Sequence, residues 1–179
     1  QKTAYEIYQC DWSSDVCSSD LYNFVLHPQW DDFVSDTLFI KILFVDYDEG
    51  YCIIEMIGEW NDALTNDIML FKRDIAEDMM YYGVNKFIFV GENVLNYHAS
   101  DDCYYEEWFE ELSGNGWIAL LNFREHVLKE MTNANLDYYL LHGGDLNDFN
   151  WRRFSPGQLF GKDRKSTRLN SSHTDISRM

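Results

Sequence analysis

Two apolar runs begin the clearly patterned part of the chain. LFIKILFVDYD at 38–48 and YCIIEMIGEW at 51–60 are rich in β-branched and aromatic residues, and Glu49 and Gly50 lie between them. Two such runs around a short turn that contains glycine are typical of a β-hairpin. The sequence therefore predicts two antiparallel strands over 38–60.

The next segment changes to helical periodicity. In TNDIMLFKRDIAEDMMYYG at 65–83, apolar side chains recur three and four residues apart, which is the spacing of one helix face. These side chains are Ile68, Phe71, Ile75, Met79 and Tyr82. Thr65 or Asn66 can cap the start of this helix, and Gly83 can end it.

Short buried strands then alternate with helices. The stretches NKFIFVG (85–91), GWIALLNF (116–123) and LDYYLL (136–141) predict strands. DDCYYEEWFEEL (101–112) predicts a helix with apolar contacts from Cys103, Trp108, Phe109 and Leu112. REHVLKEMTNA (124–134) predicts a helix with Val127, Leu128 and Met131 inward. The order β-β-α-β-α-β-α-β predicts an α/β fold whose sheet is parallel after the hairpin.

The segments that flank this pattern are aromatic but irregular. YNFVLHPQWDDFVSD at 22–36 and HGGDLNDFNWRRFSPGQLF at 142–160 show neither a helical nor a strand period. They are interpreted either as arms that pack against the domain or as the edges of a larger protein.

The two ends of the chain have a different origin. Asp11–Leu21 (DWSSDVCSSDL) back-translates to a common short-read sequencing adapter, and Gln1–Ile7 back-translates to its upstream primer. Asp163–His173 and Ser177–Met179 match the same adapter at the other end, in the right order and strand sense. The alternative is a genuine Ser-rich linker and a basic tail.

These matches set the expected domain boundaries. Segments that do not come from the gene are excluded from fold reasoning. We therefore expect residues 1–21 and 163–179 to be adapter-derived and 22–162 to form a single α/β domain, either complete or a gene fragment.

The charge narrows the classes of partner. The chain has 31 acidic and 14 basic residues, a formal net charge of −17. Without the expected adapter segments, 25 acids and 9 bases remain, a net charge of −16. This charge disfavours binding to nucleic acid or an anionic membrane, because both are polyanions. It is compatible with a protein partner that has a basic surface, although solubility alone also accounts for it.

Cysteine usage and hydropathy add two expectations. Cys52 and Cys103 are the cysteines of the expected domain, too few for a disulfide framework or a CxxC zinc site. We expect both to be buried and reduced, which suggests a cytoplasmic location. No apolar run reaches the roughly 20 residues that span a bilayer.

Three stretches resemble the STAS domain, the fold of bacterial anti-sigma factor antagonists. YCIIEMIGEWNDA (51–63) is similar to the second strand with its Gly-Glu-hydrophobic-Asp pattern, with Asn61 in place of the usual Asp. NKFIFVGENVLNYHASDD (85–102) is similar to the central strand and switch loop, and GWIALLNFREHVLKEM (116–131) to the late strand and last helix. The resemblance covers about residues 38–141 and implies a small mixed sheet with helices packed mainly on one face.

The switch loop departs from the family pattern. The resemblance implies an Asp-Ser-Ser-Gly tetrad whose first serine is phosphorylated by a partner kinase. Aligned without gaps, the tetrad falls on His98, Ala99, Ser100 and Asp101, so Ala99 stands at the phosphoacceptor position. We expect Ser100 to act instead as the N-cap of the following helix.

The sequence gives little support for a metal site, a catalytic site or a phosphate-binding site. His98 beside Asp101 and Asp102 could suggest a metal site, but adjacent acids at a helix start diverge, so capping is favoured. No G-x-S-x-G motif is present, and GGD at 143–145 lacks the strand–loop–helix context of a phosphate site. The sequence therefore predicts neither a catalytic residue nor a cofactor or metal.

The functional prediction is a non-enzymatic STAS-like protein-binding module in bacterial regulation. Trp60 follows a predicted strand end, and an exposed aromatic side chain there would anchor an interface. The predicted partner-binding residues are Trp60, Asn61, Asp62, His98, Ser100 and Asp101. Two alternatives are an acidic immunity-type or inhibitor protein that masks a basic partner site and a small enzyme without a recognisable motif.

Overall fold

The computed structural model describes residues 35–112 and 114–161, and the segments expected to be adapter-derived lie outside them. The described residues contain a five-stranded mixed sheet in the order β1-β2-β3-β4-β5. The strands are β1 (Leu38–Asp46), β2 (Tyr51–Asn61), β3 (Lys86–His98), β4 (Trp117–Leu121) and β5 (Leu140–Leu141). β1 is antiparallel to β2, and β2 to β5 pair in parallel, as the sequence predicts.

The main helices all contribute to the core on one face of this sheet. They are α1, which runs through Asp67–Phe71, Lys72–Ala76 and Glu77–Tyr81, α2 (Cys103–Glu111) and α3 (Glu125–Asn133). Single 3₁₀ turns lie at Leu136–Tyr138, Gly144–Leu146 and Trp151–Arg153. The element order β-β-α-β-α-β-α-β and the mixed sheet are those predicted, so the α/β fold class is confirmed.

Two strand lengths differ from the prediction. β3 does not stop near residue 91 but continues to His98, and its second half pairs with β2. The strand pattern is hard to see there because Asn93 and Asn96 replace apolar residues, and their amides bond to Glu55 (3.1 Å) and Glu59 (3.0 Å) on β2. β5 is only Leu140–Leu141, because the preceding residues form a 3₁₀ turn.

The middle of α1 is a π-helical turn, Lys72–Ala76. A π turn accommodates one more residue than an α turn, so it shifts the buried face. Lys72 and Ala76 are consequently buried, whereas Ile75, predicted to face inward, is half-buried against the core. Ile68, Phe71 and Met79 are buried as predicted.

Gly83 ends α1 as predicted. It has a φ of +99°, its N–H donates to Met80 O (3.0 Å), and the Val84 N–H donates to Met79 O (3.0 Å). These two bonds form a Schellman motif, which needs a residue in the left-handed region and therefore favours glycine.

The apolar contacts of α2 differ in part from the prediction. Tyr105, Trp108 and Leu112 are buried, but Cys103 is exposed and Phe109 is 40% exposed. The expectation that both cysteines are buried is therefore right for Cys52 and wrong for Cys103. In α3, the predicted inward residues Val127, Leu128 and Met131 are all buried.

The segment after β5, which shows no period in the sequence but is helical over 156–161, covers the second face of the sheet. Leu146, Trp151, Leu159 and Phe160 pack there against strand residues that include Tyr51, Ile53, Ile88 and Val90. Asn122 fixes this segment, because its side chain bonds to both the backbone N–H and the carbonyl of Phe149, each at 2.6 Å. The interpretation as a packing arm is correct for this segment. The described part of the chain has no helix that is long and apolar enough to cross a membrane.

Candidate functional site

The candidate site lies where β2 and β3 end side by side. Asn61 pairs with His98 in the last register position of these parallel strands. The backbone N–H groups of Asp62 (3.0 Å) and Ala63 (3.2 Å) both donate to His98 O. The loops 62–66 and 99–102 therefore leave the sheet next to each other, as loops at the carboxyl ends of parallel strands do.

Trp60 is not the exposed anchor that the sequence predicts. It is 0% exposed, and its ring lies edge-on to Phe89 (6.1 Å) and Tyr97 (6.2 Å). The prediction is wrong because β2 continues through Asn61, so Trp60 is an inward-facing strand residue. Asn61 (7% exposed) and Asp62 (2% exposed) are also buried, which excludes all three side chains from a contact surface in this structure.

Asp62 is instead the centre of a buried hydrogen-bond network. Its Oδ1 accepts from Trp60 Nε1 (3.0 Å) and the Ile68 N–H (2.9 Å), and its Oδ2 accepts from the hydroxyls of Tyr97 (3.0 Å) and Tyr105 (2.7 Å). Burial raises the pKa of Asp62 above its usual range, although the four donors favour the carboxylate and oppose that rise. The network joins β2, β3, α1 and α2 beneath the two loops.

The loop after Asp62 is held in one shape by its own polar groups. Asn61 Oδ1 accepts from the Leu64 N–H (3.0 Å), and Asp67 Oδ2 accepts from the Asn61 N–H (2.7 Å). The Thr65 hydroxyl lies between Asn61 O (2.7 Å) and Asp67 Oδ1 (2.6 Å). Asn66 occupies the N-cap position of α1 without a side-chain cap bond, and Asp62 caps Ile68 instead.

Leu64 projects from this fixed loop and is 85% exposed. No pattern in the sequence points to it, because a single leucine in the loop after Asp62 has no period to mark it as buried or exposed. Leu64 follows Ala63, whose N–H donates to the carbonyl of His98. It therefore lies near His98, one of the exposed residues that were predicted to bind a partner.

The predicted residues of the second loop are exposed, but Ser100 does not cap the helix. His98, Ser100 and Asp101 are all exposed. Asp102 is the N-cap residue, and the Cys103 N–H donates to Asp101 Oδ1 at 3.3 Å. The capping prediction for Ser100 is therefore wrong, because α2 begins at Cys103, two residues later than the sequence suggests. Among the described residues, no group of three or more His, Cys, Asp or Glu could hold a metal ion.

Comparison with known proteins gives two structural similarities. No protein-family profile and no curated protein matches the chain. The anti-sigma factor antagonist SpoIIAA in its unphosphorylated form is 15% identical with a TM-score of 0.44, over 59% of this chain and 89% of that chain. The Bacillus cell fate determinant SpoIIAA in the phosphorylated form is 14% identical with a TM-score of 0.38, over 59% and 92%. These values describe a distant likeness of fold.

Proposed function

We propose that this chain is a non-enzymatic STAS-like protein-binding module of bacterial regulation, with Ala99 in place of the usual phosphoacceptor serine. The observation that carries the proposal is the exposed Leu64 on a rigid loop beside His98, Ser100 and Asp101. These four residues form what we call the loop surface. A large apolar side chain that is held out into solvent on a fixed backbone is suited to fill a pocket on a partner.

The rigid support favours binding over chance exposure. The hydrogen bonds around Asn61 and Asp67 order the loop before any partner arrives, so little conformational entropy is lost on association. The buried Asp62 network fixes the same loop from below. Leu64 thus takes the anchoring role that the sequence analysis assigned to Trp60.

Charge and thiol chemistry add to the proposal. The net charge of −16 over residues 22–162 favours a partner with a basic surface. Long-range attraction speeds encounter with such a partner, and the same charge repels anionic competitors. Exposed Cys103 and buried Cys52 are free thiols, which suits a reducing compartment such as the cytoplasm.

A matched pair of variants tests this function. Leu64 is 85% exposed and Tyr81, at the end of α1, is 83% exposed. Wild type, Leu64→Ser and Tyr81→Ser are each immobilised, and proteins retained from an extract of the native host are quantified by mass spectrometry. We expect one set of proteins to be retained by wild type and Tyr81→Ser and lost with Leu64→Ser.

Two results would count against the proposal. The first is equal retention by all three proteins, which would place any interface elsewhere. The second is phosphate on Ser100 in protein isolated from the native host, because its exposed hydroxyl would then act as a conventional switch.

A further inference from the structure

Helix α2 carries glutamates on two flanks that differ in their partners. On the flank towards α1, Glu107 and Glu111 lie 3.3 and 3.0 Å from Lys72 Nζ, and Glu107 also pairs with Arg73 (3.1 Å). On the other flank, Glu106 and Glu110 are exposed and form no ion pair with any described residue. Glu106 and Glu110 are four residues apart, so they lie on one stripe of the helix with Asp102.

Three aromatic rings adjoin this unpaired flank. Phe109 lies 5.8 Å from Tyr138 and 5.9 Å from Tyr139 between ring centroids, and the two tyrosines lie 5.1 Å apart. Phe109 is 40% exposed and Tyr138 is 59% exposed. We call these three residues the aromatic triad. It joins α2 to the turn before β5 and contains none of the four residues of the loop surface.

The acids and the rings belong to one local environment. The Tyr139 hydroxyl donates to Asp102 Oδ2 at 3.0 Å. Burial, this hydrogen bond and the charges of Asp102 and Glu106 raise the pKa of Tyr139 to about 12. The negative potential of the flank therefore extends over the ring edge, and the basic residues Lys72 and Arg73 neutralise only the opposite flank.

We propose that the aromatic triad with Asp102, Glu106 and Glu110 binds an arginine-bearing segment of a protein partner. A guanidinium group can stack on an aromatic face while its N–H groups bond to carboxylates. Acids alone would be satisfied by water, and rings alone would favour a neutral apolar partner. Acids next to aromatic rings favour binding of a planar cation such as a guanidinium group.

This inference rests on the proposed function for the existence of a protein partner, and it adds a second contact surface with defined chemistry. The arginine-binding inference and the proposed function can fail separately. Leu64 belongs to the loop surface only, so Leu64→Ser should abolish capture of the native partner and leave recognition of arginine unchanged.

The experiment uses nona-arginine as the probe and measures its affinity for the full chain by titration calorimetry. We expect Tyr138→Ala and the double variant with Glu106→Gln and Glu110→Gln each to weaken binding roughly three- to thirtyfold. Tyr138→Leu, which keeps an apolar side chain but removes the aromatic face, should weaken binding as Tyr138→Ala does. A fold defect in Tyr138→Ala alone would thus not explain the loss.

The control variants remove the same types of side chain at other positions on the surface. Tyr81→Ala removes another exposed ring, and Glu125→Gln removes another exposed acid. Together with Leu64→Ser, these variants should bind nona-arginine within about twofold of wild type. Undetectable binding by wild type or unchanged binding with Tyr138→Ala would overturn the inference. A loss of affinity with Glu125→Gln as large as that of the double variant would also overturn it, because it would show attraction to net charge alone.

Discussion

Asp62 shows how a single buried side chain organises the loops above it. Its two oxygens accept four hydrogen bonds, from a side chain of β2, a backbone N–H of α1, and hydroxyls of β3 and α2. A buried carboxylate is tolerated only when its hydrogen-bonding capacity is filled, as it is here. The position of the loop surface therefore depends on this one residue.

Replacing Asp62 by Ala should destabilise the fold strongly. The change leaves the donors of Trp60, Tyr97 and Tyr105 buried without their acceptor, and we expect the free energy of unfolding to fall by about 3–5 kcal/mol. Urea denaturation measures this quantity. Asp145→Ala, at an exposed position, should change it by less than about 0.5 kcal/mol. Equal effects of the two substitutions would contradict the role of Asp62.

His142 predicts a pH dependence of stability. It is half-buried, and burial lowers its pKa below 6.5, although the charge of Asp137 opposes this. The unfolded chain then binds the proton more readily, so the stabilising contribution is present above about pH 6.5 and is lost as the pH falls towards the folded pKa.

His142→Gln should therefore flatten the loss of stability just below pH 6.5. Denaturation midpoints measured from pH 7.5 to 5.0 for wild type, His142→Gln and His98→Gln would show it, with the exposed His98 as the matched control. If the wild-type slope in this range survives in His142→Gln, another group causes it.

Among the elements, α1 and α2 are held together by a buried cation. The Lys72 side chain is 0% exposed and its Nζ lies within 3.1 Å of Glu77, 3.3 Å of Glu107 and 3.0 Å of Glu111. The neighbouring Arg73 pairs with Glu77 and Glu107 but is 48% exposed. The π turn is what brings Lys72 to the inward side of α1.

Lys72→Met and Arg73→Met should separate buried from exposed ion pairing. Without Lys72, three carboxylates face each other with less neutralisation, and we expect unfolding free energy to fall by about 2–4 kcal/mol. Arg73→Met should lower the unfolding free energy clearly less than Lys72→Met does, because the ion pairs of Arg73 are screened by solvent. Chemical denaturation of both variants at low and high salt checks this, and a larger effect of Arg73→Met would refute it.

The π turn also marks a limit of periodicity. The spacing of Ile68, Phe71, Ile75 and Met79 fits a regular α-helix, so the sequence gives no sign of an extra residue in the middle turn. A buried lysine with three glutamate partners is equally invisible, because two of those partners lie on another helix, more than 30 residues away. Such long-range pairing follows from the fold and not from the local pattern.

For the whole molecule, the segment after β5 completes a second core. Trp151 is 5% exposed, and its Nε1 donates to Glu92 Oε1 at 3.0 Å while Arg152 pairs with Glu92 Oε2 at 2.6 Å. Burial opposes ionisation of Glu92, but the hydrogen bonds from Asn122, Arg152 and Trp151 and the charge of Arg152 lower its pKa. This segment belongs to the folded domain.

Truncation tests the boundaries of the domain. A chain that ends at Gly143 loses Leu146, Trp151, Leu159 and Phe160 from the second core, and we expect a loss of at least about 5 kcal/mol or failure to fold. A chain of residues 22–162 should unfold like the full chain if the two ends are adapter-derived. Calorimetric melting distinguishes these outcomes, and a large loss in the 22–162 chain would contradict the expected origin of the ends.

The arrangement of the sheet and helices follows from sequence because it depends on local patterns. The runs around Glu49-Gly50 and the helical spacing after Thr65 each indicate one element without knowledge of the others. Of the residues predicted to bind a partner, His98, Ser100 and Asp101 are exposed, as that role requires. Trp60 is buried and Leu64 is exposed because exposure depends on where β2 ends, and that end is set by pairing between Asn61 and His98 across the sheet.

The proposed partner binds at the loops that end β2 and β3. Amide hydrogen exchange locates the interface, when it is measured for the full chain alone and with the protein retained through Leu64. We expect new protection at 63–65 and 99–101 and unchanged exchange at 81–83, the exposed end of α1. Protection at 81–83 or on the segment 146–160, with unchanged exchange in both loops, would contradict this expectation.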